Sequence, residues 1–454
     1  MKKLVALLLA LAIAFTMVAC ATQTDPNGTA KPSNPTTPSA AGATEDPAAA
    51  AKPFEGTTIT VVTTSSGPVL AAQKYLSEFE AETGIKVNME LYEFQETIDK
   101  ININAGAGGS DIDVICYRPI QETAAWYNNG YFKPLNDYIA ASGADYDYED
   151  FFPSAREVTT VNNDIIGIPY LVEGEMLWYN TELLERYGAT VPTNFDELLE
   201  TCKKLYDPAN NVYAISLRGE GNGAVTQFSG FLYGFGGDFF DENLNATMNT
   251  PEALAALEYY AELVKYGPDG MAAGSTNDSI NWFSNGITAM RIDAYAQTFN
   301  HTDPDTSVIY DKLGFARFPM GTIGAYTPYN IVAWAWGISS TSKNQDAAWE
   351  FIKWASGKEM DVQGMIETGF SARTSTWGDD RVAAVVDPAL MQVVQQTGDD
   401  GYPYDRPHNA NASEVRALVG KMIDLANTGL RGADLAAAIE PFNQQIQTIL
   451  DGEK

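Results

Sequence analysis

Ile59-Thr60-Val61-Val62-Thr63, Val69 to Thr83, Gly84, Val87-Asn88-Met89-Glu90-Leu91 and Asp111-Ile112-Asp113-Val114-Ile115-Cys116 decide the fold class of this chain. The first run is β-branched throughout, with Ile59, Val61 and Val62 apolar, the pattern of a buried strand. Val69, Ala72, Leu76 and Phe79 fall on one face of a helix, and Gly84 supplies its C-terminal stop. Val87, Met89 and Leu91 then alternate as a second strand. A helical stretch through Ile98 and Ile101 leads to the glycines of 104–110 and to a third strand, Asp111 to Cys116. Strands separated by helices return in the same direction, so the order β-α-β-α-β predicts an α/β fold with a parallel sheet between helices.

Outward from this core, the punctuation stays clear. Thr193, with Asp196 three residues on, starts a helix whose apolar face is Phe195, Leu198, Leu199, Cys202 and Leu205. Thr250-Pro251-Glu252 starts another, which Gly267 ends, and Asn344 to Ser356 is a third. Ser413 to Leu450 reads as almost wholly helical. No repeat of solenoid period is visible.

The other end is of a different character. Lys2-Lys3, an apolar stretch from Leu4 to Phe15 and small residues before Cys20 form a secretory signal peptide over 1–19. The stretch is shorter than the roughly 20 residues that span a bilayer. A cysteine at the cut site resembles a bacterial lipobox, with Met17 where leucine is usual, and predicts lipid on Cys20. The segment 20–54, rich in Ala, Thr, Pro and Ser, has little to bury and predicts a disordered tether. The expected place is outside the cytoplasm, lipid-anchored to the cell membrane, and a Gram-positive surface rather than a periplasm.

Charge and rare residues narrow the function. A net charge of −31 repels nucleic acid, and the membrane is reached through the anchor only. Beyond Cys20 only Cys116 and Cys202 remain, both in apolar patterns that predict buried thiols. With two histidines in the chain, no metal site is expected, and no cofactor motif is present. His301 and His408 sit in turn-like surroundings. Trp178, Trp349 and Trp354 are assigned to the core. Glu173 and Glu175 are the one acid pair that can serve as acid and nucleophile on a glycosidic bond, which requires carboxyls about 5 Å apart.

Further segments occur in an ordered series: Phe79-Glu80-Ala81-Glu82-Thr83-Gly84, Gly130-Tyr131-Phe132-Lys133-Pro134-Leu135, Gly167-Ile168-Pro169-Tyr170 leading to Tyr179-Asn180, Pro192-Thr193-Asn194-Phe195, Phe283-Ser284-Asn285-Gly286-Ile287-Thr288-Ala289-Met290, and Trp336-Gly337-Ile338-Ser339. As a set, from about Ile59 to beyond Arg373, the chain resembles the family 1 extracellular solute-binding proteins, the maltose-binding-protein-like receptors of ABC importers. That resemblance implies a two-lobed periplasmic-binding-protein-like fold of the Venus-flytrap type II class, closing on ligand in the cleft between lobes. It puts lobe one at 55–172 plus 336–368 and lobe two at 173–335 plus 369–454. The chain is expected to cross between them near Val172 to Gly174, Ile331 to Ala335 and Thr368 to Arg373.

The same resemblance implies the site. Aromatic faces cover sugar rings, and carboxylates accept hydroxyl hydrogens. Ser65, Ser66, Tyr117, Arg118 and Trp126 are expected on the lobe-one side, Glu173, Glu175 and Trp334 at the crossings, and Asp293 and Tyr295 on the rim of lobe two. Glu173 also reads as a solvated loop acid. Arg118-Pro119-Ile120 departs from the aromatic-and-acid arrangement of maltose receptors, which argues against maltose and favours a carboxylated or otherwise polar saccharide. The expected partners are a small-molecule carbohydrate, probed by a monomeric receptor, and ABC permease subunits; the protein is not expected to be an enzyme. A surface glycoside hydrolase and a receptor for a non-sugar solute are the alternatives.

Overall fold

A computed structural model of the protein describes residues 52–321, 331–400 and 402–454. The expected signal peptide, Cys20 and nearly all of the tether lie outside the described residues.

The strands are β1 Thr58–Thr64, β2 Lys86–Tyr92, β3 Val114–Tyr117, β4 Phe132–Lys133, β5 Thr160–Val161, β6 Asp164–Ile165, β7 Ile168–Asn180, β8 Tyr213–Ser216, β9 Thr288–Ala294, β10 Leu313–Arg317 and β11 Ile331–Ser339. β1 pairs in parallel with β2 and β3, as the alternation of strands and helices requires. The path then continues β3-β11-β7-β9-β8, with β4 on β11 and β10 on β7.

Strand alternation divides the first core into two layers. Val61, Val114 and Cys116 face one cluster, with Phe79, Phe351 and Trp336, while Val62, Ile115 and Tyr117 face the other, with Trp126 and Phe132. Each fully buried apolar side chain of this kind stabilises the fold by about 1.5–3 kcal/mol relative to exposure. The helix Gly67–Thr83 buries Val69, Ala72 and Phe79 and ends where Gly84 takes φ 84°, a left-handed conformation that glycine adopts without strain. A separate core gathers Leu177, Ile215 and Met290 with the helices Gly221–Gly234, Pro251–Val264, Ala412–Asn427 and Gly432–Asp451. These are the two lobes.

β7 belongs to both. Its first half pairs with β11, from Trp336 opposite Ile168 to Ile331 opposite Gly174. From Glu175 onward it pairs with β9 and β10. A third segment joins where the Val172 N–H donates to the Ser371 carbonyl at 3.2 Å. That segment is clamped: buried Asp361 accepts from Ser371 Oγ at 2.6 Å, the Ala372 N–H at 3.0 Å and Thr376 Oγ1 at 2.5 Å. The buried Arg373 guanidinium donates to the carbonyls of Ser356, Asp147 and Tyr146.

Two local expectations change. The cap of the helix Phe195–Leu205 is Asn194, whose Oδ1 accepts from the Glu197 N–H, and Thr193 instead binds the Glu197 carboxylate. His301 is not a surface loop residue but fully buried in the short helix Phe299–Thr302. Its ring lies 2.8 Å from Ser284 Oγ and 3.1 Å from Arg291 Nη1, and burial pushes its pKa down to about 2. Turn-rich composition hid a helix whose side chains are needed inside.

Candidate functional site

The carboxyl ends of parallel strands leave a crevice, because the helices that follow turn away there. β1 ends at Thr64 and delivers Ser65 and Ser66; Ser65 is exposed, and Ser66 precedes the helix Gly67–Thr83 with its Oγ buried and unpartnered among the described residues. β3 ends at Tyr117 and delivers Arg118. Arg118 is half-buried and donates to Glu122 Oε1 at 2.9 Å, while its N–H donates to Glu122 Oε2 at 2.7 Å. Burial pulls its pKa down against the attraction of Glu122.

β7 carries the acids. Alternate residues of a strand share a face, so Leu171, Glu173 and Glu175 point the same way, and Trp334 lies opposite Leu171 on β11. Glu173 is half-buried and makes no hydrogen bond among the described residues. Burial pushes its pKa up to about 7, with Arg218 opposing and Asp293 adding to the rise. Glu175, one pleat further, is 1% exposed, and neither of its carboxyl oxygens has a partner among the described residues. Burial first, and then the Asp293 charge, raise it well above its ordinary value, which favours its protonated form.

The lobe-two wall is a charge network. Asp293, fully buried, receives Arg218 through Nε at 3.0 Å and through Nη2, Arg291 Nη2 at 2.6 Å, Gln227 Nε2 at 3.1 Å and the Ala294 N–H at 2.8 Å. Burial works against its charge, but Arg218 and Arg291 hold it below the usual range. Beside this network, Arg406 pairs with buried Asp405 and reaches Gln121 Oε1 of lobe one at 3.0 Å. Gln121 Nε2 also donates to Ser413 Oγ at 2.7 Å, so the walls touch here. Glu173 and Arg118 both feel the charges of Asp405 and Arg406, so these groups lie near one another.

The sequence-predicted residues therefore separate. Ser65, Ser66, Arg118, Glu173 and Trp334 are exposed or half-buried. Trp126 and Tyr117 are corrected to core: they are 3% and 0% exposed, their rings tilted against Phe132, and a Cβ on Gly167 would meet the Tyr117 hydroxyl at 2.2 Å. Asp293 is fully occupied by protein donors and acts as counter-ion rather than rim acid. Tyr295 is 5% exposed and donates to the Val172 carbonyl at 2.6 Å, bracing the first crossing. Glu175 lies beneath the surface. Arg218, Asp405 and Arg406 were missed; each sits in a loop whose sequence carries no periodic signal, and only the fold brings them together.

Comparison with known proteins fits this arrangement. The sequence profile of the bacterial extracellular solute-binding proteins matches residues 63–362, and the chain belongs to that family. It is 27% identical over 336 residues to the mannitol-binding protein of Pseudomonas aeruginosa, covering 70% of this chain and 76% of that one. It is 28% identical over 309 residues to the erythritol/L-threitol-binding protein of Mycolicibacterium smegmatis, covering 63% of this chain and 64% of that protein's length. The ABC transporter solute-binding protein of Agrobacterium radiobacter K84, in complex with ribitol, superposes with a TM-score of 0.76 at 24% identity, over 88% of this chain and 100% of that one. The family is one of extracytoplasmic binding proteins, not enzymes, which removes the hydrolase alternative.

Proposed function

Proceeding from that membership, we propose that the protein captures a polyhydroxylated carbohydrate, a sugar or sugar alcohol, and passes it to an ABC permease. The observation that carries this reading is Glu173, a half-buried carboxyl without a partner among the described residues, on a strand that runs through both lobes. With a pKa of about 7 it can accept a ligand hydroxyl's hydrogen or donate its own. Trp334 supplies an aromatic surface beside it, and Ser65, Ser66 and Arg118 supply polar groups from lobe one; Glu175 supports the floor from below. Contacts to both lobes exist together only when the cleft is closed, so the ligand shifts the population toward closure. Relatives named for mannitol and for erythritol or L-threitol support a polyol-sized ligand. The protein acts as a monomer, tethered through lipid on Cys20 to the outer face of the cell membrane, at a Gram-positive surface.

Calorimetric titration with mannitol, erythritol and maltotriose tests the reading, beside small-angle scattering. At least one should bind and reduce the radius of gyration. Binding of none of them, together with tight binding of a peptide or polyamine, would overturn it. Cys20→Ala should release the protein from the membrane fraction.

A further inference from the structure

Arg416, on the helix Ala412–Asn427, is a half-buried guanidinium whose hydrogen-bond partners among the described residues are neutral. Its Nε donates to the Asn222 carbonyl at 3.1 Å and its Nη2 to Thr226 Oγ1 at 3.0 Å, and it forms no ion pair with a described carboxylate. The acids near it are already taken. Asp405 pairs with Arg406 and accepts from Thr226 Oγ1 at 3.3 Å, and Glu122 pairs with Arg118. Burial, then the charge of Arg406, push the Arg416 pKa down to about 9, with Arg118 and Arg218 adding to the repulsion.

Such a grouping is unusual in a chain of net charge −31, where acids are plentiful and a guanidinium planar fork is suited to carboxylate or phosphate. Asp405 draws on Arg416 but is itself paired with Arg406, so a half-buried guanidinium beside the like charges of Arg406, Arg118 and Arg218 still favours an anion from outside. The place matters as much as the charge. Arg118 belongs to lobe one, Arg406 and Arg416 to the opposite wall, and Gln121 touches Arg406 and Ser413 across the join. These residues of the opposite wall also lie beyond the segment that the family profile matches, 63–362.

We propose that the cleft takes an acidic sugar, its anionic group held by Arg416 with Arg118 and Arg406 around it, while Glu173 meets a hydroxyl. This rests on the carbohydrate-receptor reading and narrows it to a substrate class. An anion there contacts both walls and so favours the closed form.

The experiment compares D-glucitol, D-gluconate and D-glucitol 6-phosphate by calorimetry on the full chain, at low and high salt. At least one anion should bind about tenfold or more tighter than glucitol, and that advantage should shrink with salt. Which anion gains separates carboxylate from phosphate. R416Q should reduce the anion-to-neutral affinity ratio by about tenfold, and R416K should restore part of it. Should R416Q fail to fold, the salt dependence of the unaltered protein still decides. Glucitol binding as tightly as both anions, or an unchanged ratio in folded R416Q, would overturn the inference and leave the receptor reading standing. No binding by these three nor by mannitol, erythritol or maltotriose would overturn both.

Discussion

Asp361 and Glu175 are both buried carboxyls beside segments that join the lobes, at 7% and 1% exposure, yet one is surrounded by donors and the other has none among the described residues. Asp361 fixes Ser371, Ala372 and Thr376 with three hydrogen bonds and so holds the third crossing to lobe one. Glu175 sits under the first crossing, where burial favours its protonated form, near Glu173, whose carboxyl is equally unpartnered among the described residues but half-open. Burial alone does not assign a role. A carboxyl that the protein satisfies is part of the frame, and one left unsatisfied beside a crevice is available to something else.

Removing the frame should cost most. Asp361→Ala leaves the buried Ala372 N–H and Thr376 hydroxyl without their acceptor and Ser371 with the Arg373 carbonyl alone, and should destabilise the protein by about 3–5 kcal/mol in denaturant unfolding. A loss under about 1 kcal/mol would break the contrast, since Asp361 would then be no better placed than Glu175.

Next in size is the open acid. Glu173→Ala should cost about 1.5–3 kcal/mol of binding, a roughly tenfold to hundredfold weaker Kd, while the unfolding midpoint barely moves. Full affinity in this variant would mean that the ligand sits elsewhere.

Glu175→Gln, a neutral group of the same shape, should change stability by under about 1 kcal/mol at neutral pH, unlike Asp361→Ala. The smallest effect is a slope. The folded state lifts Glu173 from its ordinary 4.5 to about 7, so between those values it keeps a proton that the unfolded chain has released. Stability present below pH about 4.5 therefore falls as pH rises through about 7 and levels off above. Thermal unfolding of Glu173→Gln across this range should show a flatter profile, and an unchanged slope would assign the effect to other groups.

The framework was legible because its signals are local. Ile59 to Thr63, the Val69-Ala72-Phe79 face and Gly84 announce two periods and a stop, and the structure uses each as read. Glu173 was singled out through the ordered motifs around it. Tyr117 and Trp126 were misplaced because an aromatic at a strand end looks the same whether it meets a crevice or a second core layer; the cover over β3 on both faces is a tertiary fact. Asp293 was placed near the site, but its two arginine partners, one at the end of β8 and one on its own strand, could not be inferred from an acid in a strand. Arg406, in a loop, and Arg416, in a stretch recognisable only as helical, had no signal in sequence.

β7 runs thirteen residues without interruption, hydrogen-bonded to one lobe's sheet and then to the other's. A paired ribbon resists shear and stretch but yields to torsion, because twisting it alters each hydrogen bond only slightly. The joint is thus an elastic element with a resting angle, not a free swivel.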